Sequence, residues 1–229
     1  MRRSLQVSLI AVFAALHAVL YFISFGLWRN WGIYLEAIEG IILGPGVGFF
    51  AALIGSVIGR IVKPDVLWMF GVVAEPVSVL MAGLLARAKW KPVLIAYLAM
   101  LTAYFVHPFG RDLPLWTILD ILVALLLIYP AAKLGKNLFK TEDVKSLSIA
   151  LILVSFVCIA TDSLVRVFLL VPCGLHGLFF AGFDELYMVF VGAAIDSYIE
   201  DLIVVAVSFL VGVPLIIALS KLKIFESKK

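Results

Sequence analysis

Apolar stretches long enough to cross a bilayer, about 20 residues each, recur from one end of the chain to the other. With 229 residues, of which 64% are hydrophobic, the chain has room for six or seven such helices with short loops and no soluble domain. The sequence therefore predicts a single all-α transmembrane domain over residues 1–229, a polytopic helical bundle. The apolar stretches cover residues 5–27, 33–62, 66–86, 92–107, 114–132, 146–171 and 184–220.

Lysine and arginine residues are sorted along the chain: thirteen of the 18 fall in four clusters. Because such clusters stay on the cytoplasmic side, we expect a multi-pass protein of the cell membrane with both termini cytoplasmic. The chain must then cross an even number of times between clusters, which predicts six full spans and leaves residues 33–62 as an extra segment. The clusters are Arg2 and Arg3; Arg87, Lys89 and Lys91; Lys133, Lys136, Lys140 and Lys145; Lys221, Lys223, Lys228 and Lys229.

The extra segment is interrupted by the run Gly44-Pro45-Gly46-Val47-Gly48. Proline lacks the backbone N–H and clashes with the preceding turn, so the helix should break there. A broken hairpin that enters and leaves on the outer side satisfies the charge rule, whereas a plain crossing, giving seven spans, violates it at one end. Gly40, Gly44 and Gly48 recur every four residues, which predicts close helix packing.

Acidic residues concentrate toward the outer half of the predicted bundle, where eleven of the 15 fall. An ionisable residue in an apolar helix is costly and indicates a functional site. Glu36 and Glu39 share one helical face, and Asp196 and Glu200 share another. Asp162 and Arg166, four residues apart, can form an intrahelical ion pair. We therefore predict an outward-opening pocket for a small organic solute, cationic or amine-bearing. Its predicted binding residues are Trp31, Tyr34, Glu36, Glu39, Arg166, Asp196, Tyr198 and Glu200.

The first apolar stretch contains two overlapping Ala-x-x-x-Ala pairs, Ala11 with Ala15 and Ala14 with Ala18. They leave a smooth strip on an otherwise bulky helix, which is a good docking face for another helix. The residues alone leave open whether that helix belongs to this chain or to another subunit.

The sequence resembles the substrate-binding S-component of energy-coupling-factor (ECF) vitamin transporters. Three features carry this resemblance: the alanine strip, the stretch 36–48 and the size of the chain. The helix around residues 9–18 is similar to the family's first helix. Residues 44–48 are similar to its Gly-Pro-x-x-Gly segment, although Gly46 and Gly48 are spaced differently. The resemblance is sharp only over residues 9–60.

The resemblance implies capture of a vitamin or related micronutrient, followed by association with a transmembrane T-component and two ATPase subunits. It assigns Ala11, Ala14, Ala15 and Ala18 to T-component docking. Residues 1–229 contain no Gly-x-x-x-x-Gly-Lys-Ser/Thr loop, so we expect a partner to hydrolyse ATP.

Other classes of protein explain the pattern less well. A proton- or cation-coupled secondary transporter would also place acids in helices, and Glu75 beside Pro76 is well placed near mid-membrane. We do not expect an enzyme, because His17, His107 and His176 are isolated and are interpreted as packing residues. We expect no cofactor, no bound metal and no nucleic-acid partner; apart from the proposed subunits, the surroundings should be membrane lipid.

Overall fold

The computed structural model describes residues 3–23, 30–141 and 143–221, and this part of the chain is all-helical. Arg2, Lys223, Lys228 and Lys229, named in the sequence predictions, lie outside it. The α-helices are α1 Arg3–Tyr21, α2 Ile33–Leu43, α3 Pro45–Val62, α4 Trp68–Leu85, α5 Trp90–Val106, α6 Pro108–Asp112, α7 Leu119–Gly135, α8 Val144–Leu170, α9 Phe183–Val207 and α10 Val213–Lys221. Short 3₁₀ turns cover Leu115–Ile118 and Leu175–Leu178.

Six helical stretches of the described chain are long and apolar enough to cross a membrane. The all-helical membrane architecture is therefore confirmed, but these are not the six spans predicted from the sequence. The stretch 45–62, predicted as one arm of a broken segment, qualifies as a full span of 18 residues. The stretch 92–107, predicted as a full span, forms the helix Trp90–Val106, which falls among the shorter apolar helices.

The predicted break at Gly44-Pro45 is present, between α2 and α3. Gly44 has φ +86° and ψ 172°, a conformation that side chains other than hydrogen rarely tolerate. Pro45 then occupies the first turn of α3, where its missing N–H would have had no helical partner. The 11 residues of α2 extend only about 16 Å, so α2 reaches roughly half-way through the bundle while α3 crosses it.

The break lies beside the C-terminal end of α4. A Cβ at Gly44 would meet the Arg87 guanidinium, and one at Gly83 would lie 2.6 Å from the Pro45 nitrogen. Gly40 packs equally closely on α4, where a Cβ would meet the Val79 carbonyl oxygen. The predicted close packing of the glycine stripe is therefore confirmed, and it seats α2 in the groove beside α4.

Helix α1 packs along α3, and this contact corrects the prediction for the alanine strip. Ala14 and Ala18 are 3% and 7% exposed. A Cβ at Gly55 would lie only 2.8 Å from the Ala14 carbonyl oxygen. Ala14 and Ala18 therefore pack inside the chain rather than offering a docking face. Ala11 and Ala15 are exposed and lie at the border of the same strip, on the side turned away from α3.

The last helical stretch runs without a break from Phe183 to Lys221, over 39 residues. The chain stays helical through a wide π turn at Ser208–Gly212. The first turns of α9 pack against the α5–α6 corner, where Phe109 and Phe183 have ring centroids 5.2 Å apart.

The two ends of the bundle differ in charge. The lysine-rich end is defined by Arg87, Lys89, Lys91, Lys133, Lys136, Lys140, Lys145 and Lys221. The acidic end is defined by Asp65, Asp112, Asp184 and Glu185. Asp143 caps the start of α8 at the lysine-rich end by accepting hydrogen bonds from the backbone N–H groups of Lys145 and Ser146. A hydrogen bond from the Ser146 hydroxyl, together with these two backbone bonds, lowers the pKa of Asp143.

A buried ion network beneath a cavity at the acidic end

A single carboxylate, that of Glu75 on α4, holds together a polar network that is buried inside the bundle. It is fully buried and accepts from the two terminal nitrogens of Arg60, Nη1 to Oε2 at 3.0 Å and Nη2 to Oε1 at 2.5 Å. The Asn30 amide donates to Oε1 at 3.3 Å. Arg60 also donates to the Ser56 hydroxyl one turn earlier on α3. Such a two-bond pair is the geometry in which a buried ion pair repays its desolvation.

His17 of α1 lies between two acids. Its Nδ1 is 3.2 Å from Glu39 Oε2, and its Nε2 is 3.1 Å from Glu75 Oε2. An ionised carboxylate only accepts hydrogen bonds, so both ring nitrogens must donate if both acids are ionised, which makes the ring an imidazolium. The alternative is a neutral ring with a proton on one of the acids. His17 therefore ties α1 to α2 and α4 through a shared proton.

Arg166 enters the network from α8. Its Nε donates to Asp162 Oδ2 at 2.6 Å and its Nη2 donates to Oδ1 at 3.2 Å, so the predicted intrahelical pair is confirmed. The same Nη2 lies 3.7 Å from Glu75 Oε1. Glu75 is thereby the common counter-ion of two guanidinium groups that reach it from different helices.

Glu36 is set apart from these pairs. Its Oε2 contacts the Ser78 hydroxyl, which also donates to the Glu75 carbonyl oxygen at 2.8 Å. Glu36 Oε1 has no hydrogen-bond partner among the described residues. One hydroxyl proton cannot serve both acceptors, and this conflict is removed when Glu36 is protonated and donates to Ser78. A neutral acid also avoids the cost of an unpaired buried charge.

Above this network, at the acidic end, the helices enclose a cavity of about 540 Å³. Arg60, Arg166 and Asn30 line it on the side of the network, and Asp120 and Glu200 line it from α7 and α9. Much of the remaining wall is apolar, with Phe70, Phe180, Val189 and Phe190 among its members. A mostly apolar pocket with a few convergent polar groups is typical of a small-molecule site.

The loop between α8 and α9 borders the cavity through Phe180, while Phe179 packs on Phe70 with ring centroids 5.9 Å apart. This loop is attached to the α5–α6 corner, where His176 lies 5.7 Å from His107 between ring centroids. Burial and the nearby His176 both lower the pKa of His107. These two histidines therefore make the packing contacts that the sequence predicted for them.

The predicted binding residues divide into three groups. Arg166 and Glu200 line the cavity. Glu36 and Glu39, each 1% exposed, belong to the buried network and are not among the residues lining the cavity. The prediction that these two acids face the pocket directly therefore needs correction, because α2 begins at the depth of Glu75 rather than at the acidic end.

The other four predicted residues are not among those lining the cavity. Tyr34 is buried with Ile159 and Val204, and Trp31 packs on it edge-on at 5.1 Å between ring centroids. The Tyr198 hydroxyl donates to the Trp116 carbonyl oxygen and accepts from the Leu119 N–H, so it fixes the start of α7. Asp196 is partly exposed on α9 and is absent from the described cavity wall.

The sequence reasoning missed His17 and Arg60 as site residues and gave Glu75 only to the rival transporter class. A signal was available for Glu75, an acid in an apolar helix beside proline. None was available for His17, which looked isolated because its partners lie 22 and 58 residues away.

Comparisons with known proteins give little beyond this geometry. No family model and no solved structure matches the chain. Over 132 residues the chain is 29% identical to the uncharacterized protein MJ0923 of Methanocaldococcus jannaschii. The aligned region covers 57% of this chain and 44% of that protein. The chain thus spans less than half the length of that relative. The fold and site define a multi-pass helical membrane bundle whose cavity and intramembrane charges suggest a transporter-like role.

Proposed function

We propose that this chain is the substrate-capture S-component of an ECF-type importer for a vitamin or related micronutrient. The observation that carries the proposal is the cavity of about 540 Å³ at the acidic end, floored by a fully internal ion network. The volume lies within the range of pockets that hold small organic molecules. In this proposal the chain performs no catalytic step.

The difference in charge between the two ends of the bundle supports an orientation with the lysine-rich end in the cytoplasm. Lysine-rich segments stay cytoplasmic, so the acidic end and its cavity would face outward and both termini inward. A solute would then be captured from outside. Asp120 and Glu200 on the cavity wall support the predicted amine or other hydrogen-bond donor on that solute.

The exposed face of α1 supports a helical partner. Ala11 and Ala15 lie on it beside Val12 and Leu16, which are 63% and 41% exposed. Small residues between larger ones let another helix approach closely in lipid. We assign this face to the transmembrane T-component, which in turn would bring the two ATPase subunits.

Transport in vesicles tests the proposal. The small molecule retained through gentle purification is first identified by mass spectrometry. Vesicles containing the chain with co-expressed T-component and ATPase subunits should accumulate that molecule only when ATP is supplied. Accumulation by the chain alone contradicts the proposal.

A proton-coupled secondary transporter is a second candidate, favoured by one observation. His17 and its two acids form a chain of proton-binding groups inside the bundle, which is a common arrangement in proton-driven carriers. Vesicles containing the chain alone distinguish the candidates: an imposed pH gradient should drive accumulation by a secondary transporter and leave an S-component inactive.

A further inference from the structure

Each of the two guanidinium groups beside the cavity keeps one nitrogen without a hydrogen bond to the described residues. Arg166 donates hydrogen bonds from Nε and Nη2 to the Asp162 carboxylate. Its Nη1 makes no hydrogen bond within residues 3–23, 30–141 and 143–221, and the side chain is 23% exposed. The exposed part of Arg166 contributes to the cavity wall. A fixed, partly solvated guanidinium with a spare N–H can donate a hydrogen bond to an oxyanion.

Arg60 repeats this arrangement from α3. Its Nη1 and Nη2 bond to Glu75, while its buried Nε has no acceptor among the described residues. An unmet donor on a buried charged group is unfavourable, and a small movement toward an acceptor in the cavity would relieve it. Because Arg60 and Arg166 share Glu75 as counter-ion, the network holds both at the same wall of the cavity.

We infer that the captured solute is an organic carboxylate whose acidic group binds against Arg166 and Arg60; this rests on the proposed function of the cavity as a capture site. The apolar wall receives the body of the molecule. With the predicted amine against Asp120 and Glu200, the solute is a zwitterion and adds no net charge to a buried site. This differs from the sequence prediction, which assigned the solute only a cationic or amine group.

Four compounds with one aromatic body separate these contributions: para-toluate, its neutral isostere para-toluamide, para-methylbenzylamine, and para-aminomethylbenzoate, which carries both groups. Binding to the purified full chain is measured by calorimetry at millimolar ligand. Toluate should bind about tenfold or more tightly than toluamide, because one charge-assisted hydrogen bond is lost in the amide. Toluamide binding as tightly as toluate, or no binding by any of the four, contradicts the inference.

Variants assign the preference to the arginines. The double variant Asp162→Asn/Arg166→Gln removes both charges of this pair together, so neither member is left behind as an unpaired charge. It should clearly reduce the toluate-to-toluamide affinity ratio, with Arg60 left to supply what preference remains. Arg111→Gln, which removes an exposed cation at the same end outside the cavity wall, should leave the ratio unchanged. An unchanged ratio in the double variant contradicts the inference.

Failure here is distinguishable from failure of the proposed function. ATP-dependent uptake together with a preference for the amide or the amine would keep the capture role and reject the carboxylate. A clear carboxylate preference without ATP-dependent uptake would support the site chemistry and reject the importer.

Discussion

Arg60 and Glu75 meet through two parallel hydrogen bonds, at 3.0 and 2.5 Å, that join α3 to α4 in the interior of the bundle. Removing one member leaves the other charged and buried, which costs about 3–5 kcal/mol. We predict that Glu75→Gln strongly lowers the melting temperature of the purified protein. The double variant Arg60→Gln/Glu75→Gln should be less destabilised than the sum of the single variants.

Glu36→Gln is the matched control for that experiment. Glu36 and Glu75 are both almost fully buried, but Glu36 contacts only the Ser78 hydroxyl, and we infer that it is a neutral acid. An amide can replace a protonated acid with little loss, so the melting temperature should change by far less than in Glu75→Gln. Equal destabilisation by the two substitutions would show that Glu36 is ionised in the folded protein.

The two alanine pairs of α1 give opposite predictions. Tryptophan at Ala14 and Ala18 would force α1 away from α3, so this double variant should not yield folded protein. Tryptophan at Ala11 and Ala15 adds bulk on the exposed face, so the chain should fold and bind its ligand. Co-purification with the T-component should then be lost. Size-exclusion profiles and pull-down assays measure both effects; retained co-purification in the second variant would reject this docking face.

Two glycines at the helix break differ in what they tolerate. Gly44→Ala places a side chain at φ +86° against Arg87, and should destabilise the protein by roughly 1–3 kcal/mol. Gly46, two residues later in α3, has no atom within 4 Å of a built Cβ. Gly46→Ala should therefore be neutral or slightly stabilising in thermal unfolding. Similar melting temperatures for the two variants would show that α2 and α3 are not held by this turn.

The sequence predicted the helices of this protein better than it predicted the contacts between them. Apolar length predicted the helices: 66–86 was expected where α4 spans Trp68–Leu85, and the break at Gly44-Pro45 follows from local backbone chemistry. The Asp162–Arg166 pair follows from helical spacing alone. Local rules state which residues share a face, not which faces meet. They could therefore not place His17 between Glu39 and Glu75, nor tell that Ala14 and Ala18 are covered by α3.

The assignment of the two ends is tested with single cysteines in a background lacking Cys158 and Cys173. Lys89→Cys and Lys140→Cys, at the lysine-rich end, should react with an impermeant thiol reagent only from the cytoplasmic side. Asp112→Cys should react only from outside. Labelling of positions 89 and 112 from the same side would contradict the orientation.

The central claim is that the cavity captures a small organic molecule, and ligand retention tests it most directly. Mass spectrometry of gently purified protein compares the wild type with Ala193→Trp, which fills the cavity from α9. Ile195→Trp is the control, because Ile195 is on the same helix and 55% exposed. Thermal unfolding first confirms that all three proteins are folded. The wild type and Ile195→Trp should then retain the same small molecule, and Ala193→Trp should not. Equal retention by all three, or no retained molecule in the wild type, would contradict the account.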